Sequence, residues 1–433
     1  MPWLLNVLYL LAIAFAAPWL LYRRWRKGKR LGGLSAKLSG NVLPANQAAA
    51  LQRKSIWLHA VSVGEVLLLQ PVIQRLEQDY PGYTLFLSVS TVTGREVAEK
   101  TYPRLRVIWF PFDFTWAVNR AFDQVNPGLI LLAELELWPN FITIARQRGI
   151  PVVVINGRMS ERSFKGYQQA RWFMQPLLRK IDYFAVQQEE YAARLCQLGM
   201  PASRIVITGS VKFDGVTVDR HDPKVQRLRQ ELQLPTKSLV WVVGSTQVPE
   251  EAWALELFQQ LIQQFPMLHL ILVPRHQERF DEVARLIEQF ALPYQRRSAL
   301  KQGPQQAALT LMDSLGELKS TWGLADVGFV GGSFNDRGGQ NMIEPAAYGV
   351  AVTFGPNTWN FKHVVNALVD HQAAIEVHTK EEWLIVTQRL LSDEVERQQL
   401  GKRAQQFVAS QQGATARTLD LLKNYFSERA QAA

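Results

Sequence analysis

Residues 55–90, SIWLHAVSVGEVLLLQPVIQRLEQDYPGYTLFLSVS, have the pattern of a strand, a helix and a second strand in succession. The apolar run Ser55–Val61 predicts a buried strand, and Glu65–Tyr80 has the apolar spacing of a helix. A second buried strand is predicted over Tyr83–Ser90, and another helix follows from Thr93. Strands that alternate with helices in this way form a parallel sheet with helices on both faces.

The same alternation continues in two series along the chain. In the first series, further buried strands are predicted at Leu129–Ala133, Val152–Asn156, Tyr183–Val186 and Ile205–Thr208. In the second series they are predicted at Leu239–Val243, His269–Val273, Ala325–Val330 and Ala351–Phe354. The polar segment Phe213–Pro223 interrupts the pattern and is predicted to be an interdomain linker.

Two doubly wound domains of similar size are therefore expected. The N-terminal domain is predicted over residues 31–212 and the C-terminal domain over residues 224–405, with a C-terminal helix over residues 406–433. Two such domains imply a cleft between them, and ligands of these sheets bind outside the carboxyl ends of the strands.

Composition narrows the class of protein. The chain has 433 residues, of which 47% are hydrophobic and 20% charged, so it is long and apolar enough for two or three folded domains. A single cysteine, Cys196, excludes an internal disulfide framework. The net charge of +10 suggests nucleic-acid binding at first sight. However, residues 1–64 hold nine Lys/Arg and no Asp/Glu, and the nearly neutral remainder argues against a nucleic-acid partner.

The basic excess lies next to an apolar N-terminus. Twenty uncharged residues, Trp3–Tyr22, precede the basic cluster Arg23, Arg24, Arg26, Lys27, Lys29 and Arg30. A cleaved signal peptide would carry its charges before the apolar stretch, so cleavage is disfavoured. A spanning anchor and a helix lying in the interface both remain open, since Asn6 and Pro18 weaken a span. Both of these arrangements predict a membrane-anchor segment over residues 1–30 that contacts inner-membrane lipids. Both also place the remainder of the chain on the cytoplasmic face of the membrane.

Several familiar motifs do not occur in the sequence. There is no Gly-x-Gly-x-x-Gly fingerprint, no Walker A loop and no His-Glu-x-x-His pattern. Hydride transfer and P-loop phosphoryl transfer are therefore disfavoured, and no metal-ligand motif is found.

Acidic residues follow two of the strands in the first series. Glu65 comes at the start of a helix, after Gly64, where a carboxylate could accept a proton from a substrate hydroxyl. It could equally be a helix-start acid that complements the helix dipole. Glu134 and Glu136 directly follow a buried strand and could stabilise positive charge, or be solvated loop acids.

Basic residues follow two further strands of this series. Arg158 could bind an anionic ligand, although its neighbour Ser160 could simply cap the next helix. Lys212 could face a phosphate or be an ordinary surface lysine.

The second series predicts a nucleotide site built from four loops. Ser245 and Thr246 could bind phosphate through backbone N–H groups, and Arg275 could bind an anion bidentately. Glu317 could bind a ribose hydroxyl or a base amino group. The glycines of Gly331–Gly332–Ser333 allow close approach of a ligand, and Asn341–Glu344 would open a helix at the same edge.

These residues together resemble a known family. The matching motifs are Ser62-Val63-Gly64-Glu65, Glu134 to Asn140, Asn156-Gly157-Arg158, Pro274-Arg275-His276, Gly316-Glu317, Gly331 to Pro345, Phe354-Gly355-Pro356 and Asn360-Phe361. The sequence closely resembles the Kdo (3-deoxy-D-manno-octulosonic acid) transferases of lipopolysaccharide synthesis over nearly its whole length. The resemblance implies a GT-B glycosyltransferase fold, the donor CMP-Kdo and a lipid A precursor as acceptor.

The resemblance also implies roles for individual residues. Glu65 matches the general base, and Glu134 and Lys212 match positions that stabilise the transition state. Arg275, the Leu315-Gly316-Glu317 turn and the Asn341–Glu344 turn match the CMP site of the family. Together with the loops predicted above, the expected nucleotide-sugar site contains Ser245, Thr246, Pro274, Arg275, His276, Leu315, Gly316, Glu317, Gly332, Ser333, Asn341, Met342, Ile343 and Glu344. The acceptor is expected to meet Ser62 and Gly64, and the charge and position of Arg158, Arg162 and Lys165 make them candidates for binding its phosphates. Transfer is expected to invert the anomeric carbon without a metal or other cofactor, since a leaving group of modest charge can be stabilised by helix N-termini and basic side chains.

Three positions depart from the family pattern. Gln247 and Gln340 stand where family members commonly have histidine, and Pro249 replaces a usual glycine. Glutamine donates hydrogen bonds but does not titrate near neutrality. If the family's histidines are catalytic, this protein should be slower, whereas glutamine suffices if they only donate to the nucleotide. Two alternatives to the Kdo transferase stay open: a transferase with another sugar nucleotide, and a non-catalytic nucleotide-binding scaffold.

Overall fold

The computed structural model describes residue 3 and residues 5–15, 32–44, 55–216, 219–235, 237–302 and 307–427. The chain divides into two compact units. The first contains residues 1–215 and 412–433, and the second contains residues 216–411.

The first unit is built on a seven-stranded sheet in the order β3-β2-β1-β4-β5-β6-β7. All of its paired strands are parallel. The strands are β1 (Ser55–Ala60), β2 (Thr84–Val89), β3 (Arg106–Trp109), β4 (Pro127–Ala133), β5 (Val152–Gly157), β6 (Tyr183–Val186) and β7 (Ile205–Ile207).

Helices connect these strands and cover the sheet. They are Leu34–Ser39, Val63–Leu68, Gln70–Asp79, Val92–Thr101, Thr115–Val125, Pro139–Gln147, Glu161–Gln169, Arg171–Leu178, Glu189–Gln197 and Ala414–Ser427, with a short 3-10 turn at Ala202–Arg204. Residues 5–15 are also helical. Strands such as β1 and β5 are buried along their whole length, as expected for a parallel sheet with both faces covered.

The second unit repeats this plan with a sheet in the order β10-β11-β9-β8-β12-β13-β14, again with parallel pairs. Its strands are β8 (Leu239–Thr246), β9 (Leu268–Pro274), β10 (Gln295–Arg296), β11 (Leu309–Leu311), β12 (Val327–Val330), β13 (Ala351–Phe354) and β14 (Ile375–Glu376). Its helices are Pro223–Glu231, Glu250–Gln264, Phe280–Gln289, Leu318–Trp322, Ile343–Ala347, Lys362–Asp370, Lys380–Ser392 and Glu394–Gln411, with 3-10 turns at Gln277–Arg279 and Arg297–Gln302.

The helix predicted over Glu65–Tyr80 differs from the structure, which has two helices, Val63–Leu68 and Gln70–Asp79. Pro71 has no N–H with which to continue the helical hydrogen bonds, so a new helix begins with Pro71 in its first turn.

The C-terminal segment also differs from its prediction. Gly413 has a φ of +95°, a left-handed backbone conformation that ends helix Glu394–Gln411 before Ala414–Ser427 begins. The residues predicted as one separate helix, 406–433, are therefore divided between the two units.

The N-terminal prediction is described only in part. Of the predicted anchor, residue 3 and residues 5–15 are described, whereas the basic cluster at residues 23–30 lies outside the described residues. Within the described parts of the chain, no helix combines the length and the apolar character needed to cross a membrane.

Candidate active site

The strand order places the candidate catalytic residues at the switch point of the first sheet. β1 and β4 are neighbours, and the strand that follows each of them in the chain, β2 or β5, lies on the outer side of the pair. Ligands of doubly wound sheets bind at the carboxyl ends of the strands at this point. Glu65 follows β1 and Glu134 follows β4, so both lie at the predicted edge.

Glu65 is half-buried in the first turn of helix Val63–Leu68. Its carboxylate accepts a hydrogen bond from the backbone N–H of Val61 at 2.8 Å and from the hydroxyl of Ser62 at 2.8 Å. Ser62 is the N-cap residue of the same helix. Glu65 is therefore a helix-start acid that forms a capping box with Ser62. The same hydrogen bonds orient its carboxylate at the switch point.

Glu134 and Glu136 lie in the turn after β4. Glu134 has a φ of +57°, an uncommon conformation for a residue other than glycine. Burial raises the pKa of the Glu134 carboxyl, and the charge of Glu65 adds to this increase. Burial raises the pKa of Glu136 to about 7, with a further contribution from Glu65, although a hydrogen bond from Trp138 Nε1 at 3.1 Å opposes it.

Two cations balance these carboxylates. Burial lowers the pKa of the Lys212 ammonium. The negative charge of Glu134 opposes this decrease, whereas the positive charge of Arg158 adds to the decrease. Lys212 and Arg158 in turn lower the pKa of Glu134. The predicted groups Glu65, Glu134 and Lys212 are thus brought into one electrostatically coupled cluster together with Glu136 and Arg158.

Asn156 ties together the two loops that carry the cations. Asn156 is fully buried at the end of β5 with a φ of +54°, and its side-chain Oδ1 accepts a hydrogen bond from the backbone N–H of Val211 at 3.1 Å. This bond fixes the loop before Lys212 against the loop before Arg158.

The predicted acceptor-binding residues lie on three segments of the first unit. Ser62 and Gly64 lie at the start of helix Val63–Leu68 with Glu65, and Arg158 directly follows β5. Arg162 and Lys165 lie on the exposed helix Glu161–Gln169, where Lys165 forms an ion pair with Glu161 at 2.7 Å.

The second sheet has its switch point between β8 and β12. Ser245 at the end of β8 has a φ of +59°, and Gly332 just after β12 has a φ of +67°. The backbone N–H of Arg275, which follows β9, donates to the carbonyl of Thr246 at 3.1 Å. Three of the four predicted loops therefore meet at one edge of this sheet.

A buried glutamate that the sequence analysis did not single out holds two of these loops together. The side chain of Glu250 is fully buried. One carboxylate oxygen, Oε2, accepts from the N–H groups of Gln247 at 3.0 Å and Gly332 at 2.8 Å. The other, Oε1, accepts from Ser333 at 2.9 Å and Phe334 at 3.0 Å. Burial raises the pKa of the Glu250 carboxyl, and these four hydrogen bonds oppose the increase.

The two glutamines that depart from the family pattern face the same glycine. A Cβ atom placed on Gly332 would lie 3.3 Å from Nε2 of Gln340 and 3.5 Å from Nε2 of Gln247. Their amide groups are therefore neighbours, and a change at one position alters the surroundings of the other. Pro249, the third departure, precedes helix Glu250–Gln264, and its peptide bond with Val248 is cis.

Arg275, Asn341 and Glu344 form a second charged group in this unit. Burial raises the pKa of Glu344, whereas Lys319, a hydrogen bond from Asn341 Nδ2 at 3.1 Å and the charge of Arg275 lower it. Lys319 could not be predicted from the sequence, because an exposed lysine on a short helix has no distinguishing pattern.

Glu317 already has protein partners. Burial would raise its pKa, but hydrogen bonds from Arg297 (2.9 Å between Nη2 and Oε1) and from Ser314 hold it below its usual range. Beside it, Gly316 has a φ of +83° and Leu315 is exposed.

The remaining predicted nucleotide-site residues fall into two classes. His276 is partly exposed, and its Nδ1 lies 4.0 Å from the carboxylate of Glu278. The others have buried side chains and offer only backbone atoms to a ligand; they are Pro274, Ser333, Met342 and Ile343. In the described part of the chain, no group of three or more His, Cys, Asp or Glu residues could hold a metal ion.

Comparison with known proteins decides the family. A family model described as 3-deoxy-D-manno-octulosonic-acid transferase (Kdo transferase) matches residues 28–215. The 3-deoxy-D-manno-octulosonic acid transferase of Haemophilus influenzae is 34% identical over 374 residues, which cover 86% of this chain and 87% of that protein. The enzyme of the same name from Bordetella pertussis is 35% identical over 438 residues, covering 96% and 98%. This chain belongs to the Kdo transferase family. It is a glycosyltransferase, as the names of these relatives state.

The fold agrees with this assignment. The structure of a glycosyltransferase from Rickettsia africae superposes with a TM-score of 0.56 over 87% of this chain and 99% of that one, at 10% identity. At that identity the likeness concerns the fold alone. The prediction of two parallel-sheet α/β domains that resemble those of GT-B glycosyltransferases is confirmed.

Proposed function

We propose that this Kdo transferase moves Kdo from CMP-Kdo to a lipid A precursor, with inversion at the anomeric carbon and without a metal or other cofactor. Membership of the family supports the transferred sugar. The coupled cluster of Glu65, Glu134, Glu136, Arg158 and Lys212 is the structural observation that carries the mechanism.

The first unit supplies the acid–base chemistry. Glu65 accepts the proton of an acceptor hydroxyl while the hydroxyl oxygen forms a bond to the anomeric carbon. The bond between that carbon and the phosphate oxygen breaks in the same displacement, and CMP leaves with the electron pair. Glu65 suits this role because Val61 and Ser62 fix the orientation of its carboxylate.

The other members of the cluster stabilise charge. In a displacement with oxocarbenium character, positive charge develops on the sugar ring, and a carboxylate held at a buried position stabilises it strongly. Glu134 provides that carboxylate. Lys212 and Arg158 stabilise negative charge on a phosphate or on the Kdo carboxylate, and their charges oppose the increase that burial causes in the pKa of Glu134.

The second unit binds the nucleotide. The carboxyl end of β8 binds the phosphate through backbone N–H groups at Ser245 and Thr246, with Arg275 as a cationic partner. The N–H of Gly332 does not take part, because it donates to Glu250. Glu344, oriented by Asn341, accepts hydrogen bonds from the ribose hydroxyls. Glu317, with its existing bond to Arg297, has less free acceptor capacity for this task.

The N-terminal residues hold the enzyme at the cytoplasmic face of the inner membrane, where a lipid acceptor is found. The uncharged run from Trp3 to Tyr22 and the basic cluster that follows it support this localisation.

The test is transfer from CMP-Kdo, generated in situ, to a tetraacylated lipid A precursor without added metal, with the products identified by mass spectrometry. Glu65→Gln is expected to lower kcat by about 10²–10⁴-fold while the affinity for CMP is unchanged. Glu99→Gln, which alters a carboxylate in a surface ion pair of the same unit, serves as the matched control. Loss of CMP affinity in Glu65→Gln would reduce Glu65 to a helix cap, and absence of product from wild type would reject the proposed donor or acceptor.

A further inference from the structure

The N-terminal helix is attached to the first unit through polar side chains. Asn6 is only 3% exposed. Its Nδ2 donates to Oγ1 of Thr115 at 2.7 Å, and its Oδ1 accepts from the backbone N–H of Thr115 at 3.1 Å. The same oxygen accepts from Nδ2 of Asn140 at 3.2 Å. The amide group of Asn6 is therefore held by the first turns of two helices of the unit, Thr115–Val125 and Pro139–Gln147.

Tyr9 makes the second attachment, three residues further along the same face of the helix. Its hydroxyl donates to Oδ2 of Asp113 at 2.9 Å, and its ring contacts Phe114 edge-on at 5.9 Å. Asp113 is itself buried and accepts from the backbone N–H groups of Asn140 at 3.0 Å and Phe141 at 2.8 Å. The tyrosine thus joins a network that already orders the Asp113 loop.

The opposite faces of this helix are apolar and uncovered. The exposed fractions of Val7, Leu8, Leu10, Leu11 and Ile13 lie between 46% and 52%. Phe15 is 85% exposed and Trp3 is 76% exposed. An ordinary surface helix turns its apolar face to the protein and its polar face to water, whereas this helix does the reverse.

Exposed apolar side chains also occur on the body of the unit, next to the buried ring that Tyr9 contacts. Phe114, the ring that Tyr9 contacts, stacks on the partly exposed Trp116 at 4.4 Å. The indole of Trp116 donates to the carbonyl of Leu38 at 3.0 Å, and Leu38 is exposed as well. Large exposed apolar patches mark interaction sites.

Charge identifies the occupant of this surface. Six Lys/Arg residues occur between residues 23 and 30, and no acidic residue precedes Glu65 in the sequence. An apolar helix face followed by a basic cluster is complementary to an anionic lipid surface.

We propose that residues 5–15 lie in the interface of an anionic membrane, parallel to its surface, and that Asn6 and Tyr9 clamp the helix to the first unit. This inference rests on the membrane attachment proposed above. If Trp3–Tyr22 spanned the bilayer, Asn6 would be about 24 Å from Tyr22 along the helix, on the side of the membrane away from the unit. In that position Asn6 could not contact Thr115. Spanning and the observed contacts therefore exclude each other.

This arrangement places lipid beside the candidate catalytic cluster. The clamp uses Asp113 and Asn140, which follow β3 and β4 on the same edge of the sheet as Glu136. Trp138 lies between them, with its indole bonded to Glu136 and its ring 5.5 Å from that of Phe110. An acceptor with its acyl chains in the membrane would thus meet the carboxylates at the membrane surface.

The experiment measures the depth of the helix in the membrane. In full-length protein carrying Cys196→Ser, single cysteines are introduced as Val7→Cys, Leu11→Cys or Phe15→Cys and labelled with an environment-sensitive fluorophore. The proteins are bound to vesicles of phosphatidylcholine and phosphatidylglycerol that contain nitroxide lipids at a shallow or a deep position. We expect all three probes to be quenched at least about twofold more strongly by the shallow nitroxide, with similar ratios.

The other outcomes are distinct. Deep quenching at Leu11 with shallower quenching at Val7 would show a spanning helix and overturn the inference. In that case, co-flotation of the protein with the vesicles would still support the membrane attachment proposed above. Absence of flotation would reject the attachment itself.

The clamp has its own test. The double variant Asn6→Leu, Tyr9→Phe is expected to shift the Leu11 probe toward the deep nitroxide, whereas the control Leu10→Ile keeps the wild-type ratio. An unchanged depth in the double variant would show that Asn6 and Tyr9 do not set it.

Discussion

Replacing Glu250 with alanine would remove the acceptor of four buried backbone N–H groups, those of Gln247, Gly332, Ser333 and Phe334. Each buried donor left without a partner costs about 1–3 kcal/mol. The lower limit applies here because water can enter the space that the side chain leaves, so four donors cost about 4 kcal/mol in total. Since 1.36 kcal/mol corresponds to a factor of ten, the loop should open about 10³-fold more often.

Hydrogen–deuterium exchange of the backbone amides at residues 332–334, read by mass spectrometry with and without CMP, measures this opening directly. Glu250→Ala should exchange about 10³-fold faster there and show a higher KM for the donor. Glu250→Gln keeps one acceptor oxygen and should fall between alanine and wild type. Glu256→Gln, which alters a partly exposed ion pair on the same helix, is the matched control. Exchange of residues 332–334 in Glu250→Ala within threefold of wild type would refute the reasoning.

Three further predictions follow from the charges and contacts of the two sites. Gly331→Ala would place a Cβ 2.7 Å from the carboxylate of Glu250, and we expect a loss of about 1–3 kcal/mol in stability, measured as a lower midpoint of thermal unfolding. The pKa of Glu136, about 7 in the folded protein, exceeds its usual 4.5, so this group makes stability fall as the pH rises through that interval. Between pH 4.5 and 7, the free energy of urea unfolding should therefore fall by up to about 3 kcal/mol less in Glu136→Gln than in wild type. An unchanged pH dependence would contradict a raised pKa for Glu136. Glu134→Gln removes the charge that raises the pKa of Lys212, so the basic limb of the kcat profile should move to lower pH.

The sequence was sufficient to place the catalytic candidates at one edge of the first sheet. Parallel strands all end at the same edge, so residues that directly follow a strand, such as Glu65 and Glu134, must lie there. The sequence could not show which of the neighbouring acids would have a perturbed pKa. That depends on burial and on distances between loops that are remote in sequence, which is why Glu136 was noted but not selected.

The nucleotide side shows a different limit. The glycines of Gly331–Gly332 indicated that a ligand approaches the chain closely. In the structure, the space beside Gly331 is taken by a carboxylate oxygen of Glu250, which begins a helix 81 positions before Gly331, and by backbone atoms of Ser245 and Thr246. A pattern of glycines predicts that something approaches the chain, but not whether a ligand or a side chain does so.

Asn6 is the residue whose interpretation changes most between sequence and structure. Within an apolar run, a lone asparagine weakens the prediction of a spanning helix, because an unpaired amide is costly in hydrocarbon. The structure pairs that amide with Thr115 and Asn140, which are 109 and 134 positions away in the chain. Hydropathy averaged along the sequence contains no information about such partners. The polar residues of an apolar N-terminal helix should therefore be examined first for a docking face, since the spacing of Asn6 and Tyr9 puts both hydrogen-bonding groups on one side of the helix.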